Sequence, residues 1–309
     1  MWEILNAAAD PLAWISIGAF LVAIAFSLTG RTRNAIRVAT GAWLIFAGFW
    51  ASMFPYYYLD FQSPLYMIGS LAAIPLCVLI SYHLYHGRAS LLQLTHAVGI
   101  MGMIYLPFML YQPAEQFLIE VVTVQSHAGM ELVGYSPGIE EGNNGYQSRF
   151  AFEGYSTYIV LACTGIGSMA IFGGLIAATR APITRKLLGI GLAVSIIWFL
   201  NIVRNVFVGL AAPLGWFDYP ALDTLTVLLA GEGMRTSFFI SHHLIAQTGA
   251  VFALVGIAIL VMKIVPEVLE ILEEALFVIT GAEYDLADAM NEPAPRTDGG
   301  ESADEYANR

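Results

Sequence analysis

The chain of 309 residues is too apolar and too sparsely charged for a water-soluble protein. Hydrophobic residues make up 58% of the sequence and charged residues 12%, and the mean hydropathy is +0.68. A soluble domain has about 45–50% apolar and about 25% charged residues. The net charge of −11, without any basic cluster, excludes a nucleic-acid-binding protein. Lipid is therefore the expected solvent for most of the chain.

Apolar runs of about 20 residues predict membrane-spanning helices. Backbone groups in hydrocarbon need hydrogen-bond partners inside the protein, so only helices and closed barrels span membranes. The runs are too long for barrel strands, which need about 9–11 residues. We therefore predict an all-α fold, a polytopic membrane helix bundle with about seven transmembrane helices. Their predicted ranges are 12–30, 38–58, 64–86, 90–111, 155–178, 187–212 and 237–264.

The basic residues predict how the bundle is oriented. They follow the first, third and fifth predicted helices and end the seventh, as Arg31, Arg33, Arg37, Arg88, Arg180, Arg185, Lys186 and Lys263. These are alternate loops, and short loops rich in Lys and Arg stay in the cytoplasm. We therefore expect a multi-pass protein of the cell membrane with its N-terminus outside and its C-terminus in the cytoplasm.

The sequence divides into a membrane domain, residues 1–265, and a tail, residues 266–309. The domain has two long outer loops, 112–154 and 213–236. We expect a short helix or hairpin in the first and a lid or substrate cover in the second. The tail begins with PEVLEILEEALFVITG, which predicts an amphipathic helix, and ends in an acidic segment that we expect to be disordered.

Three reactive side chains are predicted to share one depth near the outer ends of consecutive helices. Cys163, Arg204 and His243 each lie roughly 10–14 Å below the predicted outer end of their helix. An Arg within a membrane helix costs about 2.5–3.5 kcal/mol on insertion scales, which favours a functional role. The second cysteine, Cys77, is interpreted as a packing residue. We predict that the first three meet in an active site.

Neighbouring residues support this convergence. Asn201 and Asn205 share a helical face with Arg204, and Gln247 lies one turn after His243. His242 points about 100° away from His243 and is the alternative third catalytic residue. Small residues form a stripe that would allow close helix packing: Cys163, Gly167, Ala170 and Gly174.

The three residue types suit acyl transfer. A cysteine thiolate is a nucleophile that forms more readily beside a cation or an imidazole. An Arg stays protonated and can stabilise an oxyanion, while a His can take and return a proton. Because no carboxylate or further Cys or His lies at suitable spacing from His242 and His243, we expect neither a metal nor a cofactor.

Three motifs resemble the exosortase/archaeosortase family. They are ACTGIGSM at 162–169, NIVRN at 201–205 and SHHLIAQ at 241–247, with 41 residues from Cys163 to Arg204 and 39 from Arg204 to His243. The resemblance covers roughly the whole membrane domain. It implies a catalytic set of a Cys, an Arg and a third residue that is His or Arg. A third position that accepts Arg serves electrostatics as readily as proton transfer.

The resemblance also implies a reaction and its partners. Members process secreted proteins, such as the S-layer glycoprotein, that end in a sorting signal. That signal is a Pro-Gly-Phe type motif, a transmembrane helix and a basic end. The expected enzyme cleaves near the motif and transfers the new C-terminus to a membrane lipid at the external face. The expected source is archaeal, and the acidic surface with only two lysines suggests a halophile.

Two other functions are compatible with the residues. One is an intramembrane cysteine protease that uses water as the acceptor, with Ser168 as a weaker candidate nucleophile. The other is an anion or proton transporter that uses Arg204 and the histidines, although the sequence has no internal repeat. The sequence does not define the scissile bond, the acceptor lipid or the oligomeric state.

Overall fold

The computed structural model describes residues 2–59, 64–231, 233–286 and 288. The helices are α1 (Trp2–Leu28), α2 (Thr32–Leu59), α3 (Pro64–Tyr85), α4 (Leu92–Leu110), α5 (Gln112–Leu132), α6 (Ile166–Ala178), α7 (Ile183–Leu214), α8 (Pro220–Ala230), α9 (Thr236–Phe238), α10 (Gln247–Ile264) and α11 (Val268–Thr280). The strands are β1 (Gly138–Glu141), β2 (Gln147–Phe152) and β3 (Tyr155–Tyr158). Short 3₁₀ helices span Ala89–Leu91 and Leu161–Thr164, and a π-helix spans Phe239–Ala246.

The prediction of a polytopic helical membrane protein is confirmed. Within the described residues, six helices are long and apolar enough to cross a membrane. They agree with six of the seven predicted spans to within about six residues at either end. The last of them is one continuous helix, Thr236–Ile264, which joins α9, the π-helix and α10. We call it the histidine helix.

The fifth predicted span, 155–178, is wrong as a continuous helix. The structure divides it into β3, the 3₁₀ turn Leu161–Thr164 and α6, which has only 13 residues. Gly165 separates the turn from α6 with a φ of +79°, a conformation that glycine adopts readily and other residues rarely do. At 1.5 Å per residue α6 is about 20 Å long. It is therefore shorter than the hydrocarbon core of a bilayer, about 30 Å.

The loop at 112–154 folds into α5 and part of a small sheet. The sheet has the order β1-β2-β3, and both pairs are antiparallel. Phe150 is buried beneath it in a cluster that includes Met130 of α5 and Leu210 of α7. The Tyr146 hydroxyl donates to Glu115 at 3.1 Å. Burial and this carboxylate raise the pKa of Tyr146. These contacts fix the sheet over one end of the bundle, which we call the sheet end.

At the opposite end, α11 is held against the bundle by ion pairs. Arg88 contacts Glu274 at 2.7 Å and Glu283 at 2.8 Å, and its guanidinium stacks over Phe277. The hydrogen bonds to these carboxylates raise the pKa of Arg88. The expected amphipathic helix is present, since α11 buries Val268, Leu269, Ile271 and Val278. The acidic terminus that we expected to be disordered lies outside the described residues. We call this end of the bundle the tail end.

Helices α4 and α6 pack with their backbones close together. A Cβ on Gly174 would lie 2.5 Å from the carbonyl oxygen of Ala97 and 2.8 Å from the nitrogen of Met101. Ala170 is fully buried, whereas Gly167 is exposed and a Cβ there would meet no atom within 4 Å. The predicted small-residue stripe is therefore a packing face only in its last two members, and Cys163 precedes the helix.

Candidate active site

Cys163 lies in the 3₁₀ turn that links the sheet to α6. Its backbone N–H donates to the carbonyl of Val160 at 2.8 Å. The hydroxyl of Thr164 donates to the carbonyl of Leu161 at 2.7 Å, which closes the turn. A Cβ on Gly165 would lie 3.2 Å from Cγ of Asn201, so glycine also allows α7 to approach the turn closely. Cys163 therefore precedes α6 and lies level with Asn201 of α7.

Two asparagines of α7 hold the carbonyl oxygen of Cys163. Nδ2 of Asn201 donates to it at 2.8 Å, and Nδ2 of Asn205 donates at 2.9 Å. The two residues are one helical turn apart, as the shared face predicted. Both lone pairs of the carbonyl are thereby used. The backbone of Cys163 is fixed relative to α7.

Arg204 extends this contact to the histidine helix. Its guanidinium donates to Oδ1 of Asn205 at 3.4 Å and to Nε2 of His242 at 3.0 Å. A continuous hydrogen-bonded series therefore runs from the Cys163 carbonyl through Asn205 and Arg204 to His242. We call it the asparagine–arginine relay. It connects the 3₁₀ turn, α7 and the histidine helix, which are distant in sequence.

The two histidines have different surroundings. Since an Arg N–H can only donate, Nε2 of His242 accepts, and the proton of the neutral ring lies on Nδ1. Among the described residues, that Nδ1 is buried without a hydrogen-bond partner, and the ring stacks on Phe238 with centroids 4.9 Å apart. The ring of His243 lies beside it, with centroids 4.6 Å apart. Gln247 lies one turn after His243 on the same helix.

The π-helix explains why His242 contacts Arg204. The predicted angle between the two histidines assumed an α-helix, which has 3.6 residues per turn. The stretch Phe239–Ala246 is π-helical, so successive side chains are rotated differently around the axis. Both imidazoles consequently lie beside each other near α7. Such π segments are frequent at functional sites.

The thiol of Cys163 is separate from the relay. The residue is half-buried and packs against the cluster beneath the sheet. Within the described residues, its thiol makes no hydrogen bond. The structure thus joins Cys163 to Arg204 through the backbone carbonyl and Asn205. Nowhere in the described residues do three His, Cys, Asp or Glu side chains lie close enough together to hold a metal ion.

A second polar group, missed in the sequence, fixes the start of the histidine helix. Asp218 accepts from the N–H of Ser237 at 3.0 Å and from its hydroxyl at 2.6 Å. Arg235 donates to Asp218 at 3.2 Å and to the carbonyl of Pro213 at 3.2 Å. Burial alone would raise the pKa of Asp218, but these hydrogen bonds outweigh it and lower that pKa. We call these contacts the loop staple.

The loop staple closes the segment at 213–236 that was expected to form a lid. That segment contains α8, and the staple ties its two ends together. The sequence signal was an Asp and an Arg bordering an apolar loop, and nothing in their spacing indicated that they pair. Because Ser237 is five residues before His242, the staple also fixes where the π-helix begins.

A cavity of about 270 Å³ lies between α7 and α10 next to the relay. Its polar lining comes from Asn201, Arg204 and Ser168, and Gly165 also borders it. The remaining lining is apolar or small, and Cys163 does not contribute to it. The cavity therefore adjoins the turn that carries Cys163.

The length of α7 places Arg204 near a membrane boundary. Lys186 and Arg204 are 18 residues apart in this helix, or about 27 Å by helical rise. The hydrocarbon core is about 30 Å thick. If Lys186 lies at the interface of the tail end, this spacing predicts that Arg204 lies close to the interface of the sheet end. The free energy of inserting an Arg at that level is far lower than at the bilayer centre.

Comparison with known proteins places the chain among membrane-bound processing enzymes. The family model of transmembrane exosortase (Exosortase_EpsH) matches residues 13–221. Archaeosortase A of Haloferax volcanii is 38% identical over 296 residues, covering 91% of this chain and 97% of that protein. Archaeosortase A of Natronomonas pharaonis is 39% identical over 280 residues, covering 87% and 89%. No solved structure matches.

Proposed function

The chain belongs to the transmembrane exosortase family, and on that premise we propose that it is a cysteine transpeptidase. In this proposal it cleaves a C-terminal sorting signal of the Pro-Gly-Phe type and transfers the new C-terminus to a membrane lipid. Its partners are secreted proteins, such as an S-layer glycoprotein. The observation that carries the proposal is the asparagine–arginine relay. It connects the turn of Cys163, the half-buried cysteine of the described residues, to Arg204 and His242, and His243 lies beside His242.

In the first step, His243 takes the proton of the Cys163 thiol, and the sulfur attacks the carbonyl carbon of the scissile peptide bond. The carbonyl electrons move to oxygen, and Arg204 stabilises the oxyanion with N–H donors. The C–N bond then breaks, and His243 gives a proton to the leaving amine. The product is a thioester on Cys163 and a released helical signal.

His242 and His243 take different roles. Nε2 of His242 is occupied by Arg204 and its Nδ1 is buried, so His242 positions the guanidinium. His243 is half-buried beside it and keeps the proton-transfer role. The Asn201 and Asn205 amides fix the Cys163 backbone, so the thiol reaches the substrate by rotation of its own side chain.

In the second step, a lipid hydroxyl or amine attacks the thioester carbon. The C–S bond breaks, the thiol is regenerated and the protein becomes lipid-anchored. The sheet end is the external face in this proposal, because the basic residues border the opposite end. Arg204 then lies near the outer interface, where a substrate helix and a lipid headgroup are both present.

The test is replacement of the nucleophile in membranes that hold a signal-bearing substrate. Cys163→Ala should lower the processing rate by at least about 10³-fold, and Cys163→Ser should do the same. The matched control is Cys77→Ala at the other, buried cysteine, which should process normally. Undiminished processing by Cys163→Ala would refute the proposal.

The intact mass of the product distinguishes transfer from hydrolysis. A mass increase equal to a lipid supports the transpeptidase. A free C-terminal carboxylate, with the Cys163 dependence retained, would instead identify an intramembrane cysteine protease. Rapid processing without Cys163 or Arg204 would contradict both cysteine enzymes and return Ser168 to consideration as the nucleophile. No processing by the unaltered protein would favour a transporter.

A further inference from the structure

The cavity between α7 and α10 is long and narrow. Its lining on α7 extends from Ile197 to Phe207, and its lining on the histidine helix extends from Ala246 to Ile257. These intervals of 10 and 11 residues correspond to about 15–17 Å of helical rise. The cavity therefore runs along the helices from the level of Arg204 toward the middle of the bundle.

The cross-section is that of a single hydrocarbon chain. Spread over about 16 Å of helical rise, a volume of 270 Å³ gives a mean cross-section of about 17 Å². A helix with its side chains is about 10–12 Å wide, or about 80–110 Å² in section. Carbon atoms in contact are about 3.5–4.0 Å apart, so one alkyl chain fills a channel of this width. A substrate helix does not fit inside it.

The two ends of the cavity differ in polarity. At the relay, Arg204 and Asn201 line it, and Ser168 lies in the first turn of α6, whose N-terminus carries a partial positive charge. At the other end the lining is apolar, with Ile197, Leu254 and Ile257. In the described part of the chain, Arg204 uses two of its five N–H donors, on Asn205 and His242. The remaining donors suit an anionic oxygen.

The cavity is also open to the surrounding lipid. Leu200 is 38% exposed and Val203 is 49% exposed on α7. On α10, Gly249 is exposed, and a Cβ there would meet no atom within 4 Å. A lipid chain can therefore enter sideways from the bilayer without passing through water.

We propose that this cavity, the chain groove, binds one hydrocarbon chain of an anionic membrane lipid with the headgroup against Arg204. The inference rests on the proposed function, in which this lipid is the acceptor. Its headgroup hydroxyl oxygen attacks the thioester carbon, and the hydroxyl proton passes to His243. The C–S bond breaks, and the sulfur regains a proton as the thiol. The chain points toward the bilayer centre, as in an outer-leaflet lipid.

The experiment fills the groove at one glycine and uses another as its control. Gly249 and Gly256 are both exposed on α10, and a Cβ on either meets no atom within 4 Å, but only Gly249 lines the groove. Full-length Cys163→Ala protein is reconstituted in phosphatidylglycerol vesicles. These contain a trace of the same lipid with a photoreactive group near one chain end. Crosslinked peptides are then identified by mass spectrometry.

The expected result is crosslinking at the apolar end, near Leu254 and Ile257. Gly249→Leu should reduce it at least about fivefold, and Gly256→Leu should leave it unchanged. Equal crosslinking in both variants, or crosslinks spread evenly over the lipid-facing helices, would overturn the proposal. A substrate helix that crosslinks to the same residues and displaces the lipid would overturn it too.

Because this measurement needs no turnover, it is independent of the proposed chemistry. In the active enzyme, Gly249→Leu should shift products from lipid-linked to free carboxylate, while Gly256→Leu should not. If the groove binds the lipid but Cys163→Ala still processes substrate, the transpeptidase proposal fails and the lipid site stands. If Cys163 is essential but transfer ignores Gly249→Leu, the groove proposal fails alone.

Discussion

Asn205 is the residue on which the geometry of the site depends most. It is 4% exposed, donates to the Cys163 carbonyl and accepts from Arg204. Asn201 also donates to the Cys163 carbonyl, but Arg204 donates to Asn205 and not to Asn201. This difference separates two roles, fixing the turn and orienting the guanidinium, in one pair of similar residues.

Asn205→Ala should therefore impair processing more than Asn201→Ala. Removing a positioned donor costs about 10²–10³-fold in turnover at comparable sites, and Asn205→Ala also frees Arg204. We expect about 10²-fold for Asn205→Ala and about tenfold for Asn201→Ala, measured as single-turnover rates at saturating substrate. Asn205→Asp keeps the acceptor for Arg204 and should recover part of the loss. Equal losses at Asn201 and Asn205 would argue against the relay.

Among the elements, α6 packs tightly against α4 at Gly174, where an added Cβ would lie 2.5 Å from the carbonyl oxygen of Ala97. Overpacking of this kind costs about 1–3 kcal/mol because the backbones must separate. Gly174→Ala should thus lower the unfolding temperature, whereas Gly167→Ala on the exposed face should raise helix stability by about 0.5–1 kcal/mol. Thermal unfolding in detergent measures both. If Gly174→Ala leaves the unfolding temperature unchanged, α4 and α6 can move apart without a loss of stability.

The loop staple gives a pH-dependent element. The folded pKa of Asp218 is lowered, so its stabilisation is complete above its ordinary pKa of about 3.9 and is lost as pH falls through the folded value. The N–H of Phe217 donates to Oγ of Ser237 at 2.8 Å, so its exchange reports on the staple too. Hydrogen exchange at the Phe217 and Ser237 amides, corrected for intrinsic rates, should accelerate below about pH 4. In Asp218→Asn it should be fast already at neutral pH. An unchanged exchange rate in acid would contradict the assignment.

The elements also show what the sequence could and could not predict. Apolar length identified the six long spans, because burial in lipid is a property of composition. It failed at 155–178, where Gly165 and the pairing of β3 with β2 outweigh hydrophobicity. Spacing pointed to Cys163 and Arg204, and the structure links them through Asn205. It did not predict the contact between His242 and Arg204, because a π-helix depends on tertiary packing.

The described residues form two large packed parts joined by α4 and α6, and the cluster beneath the sheet adjoins the second of them. One core fills α1 to α4, with Phe20, Trp43 and Leu84 buried in it. A second core joins α6, α7 and α10, with Ile176, Ile197 and Val261. All of the proposed catalytic residues belong to the second part. The first part has no proposed chemical role and serves as a scaffold.

The orientation of the whole molecule can be tested by labelling. In a chain with Cys77→Ser and Cys163→Ala, Asn143→Cys introduces a thiol at the sheet end and Ala282→Cys introduces one at the tail end. Both positions are exposed. A membrane-impermeant maleimide should label Asn143→Cys in intact cells and Ala282→Cys only after lysis. The reverse pattern would place the proposed active site on the cytoplasmic face.

The shortness of α6 has a consequence for the two reactants. In the proposed reaction, one substrate is a water-soluble peptide motif and the other is a lipid that stays in the bilayer. Without the enzyme they would meet only at the membrane surface. A helix of 13 residues spans about two-thirds of the hydrocarbon thickness. The aqueous phase can therefore extend inward as far as Cys163, while the oily phase reaches the same level from the side. In the proposed reaction, an oil–water boundary therefore lies at Cys163, where two mutually insoluble substrates can react.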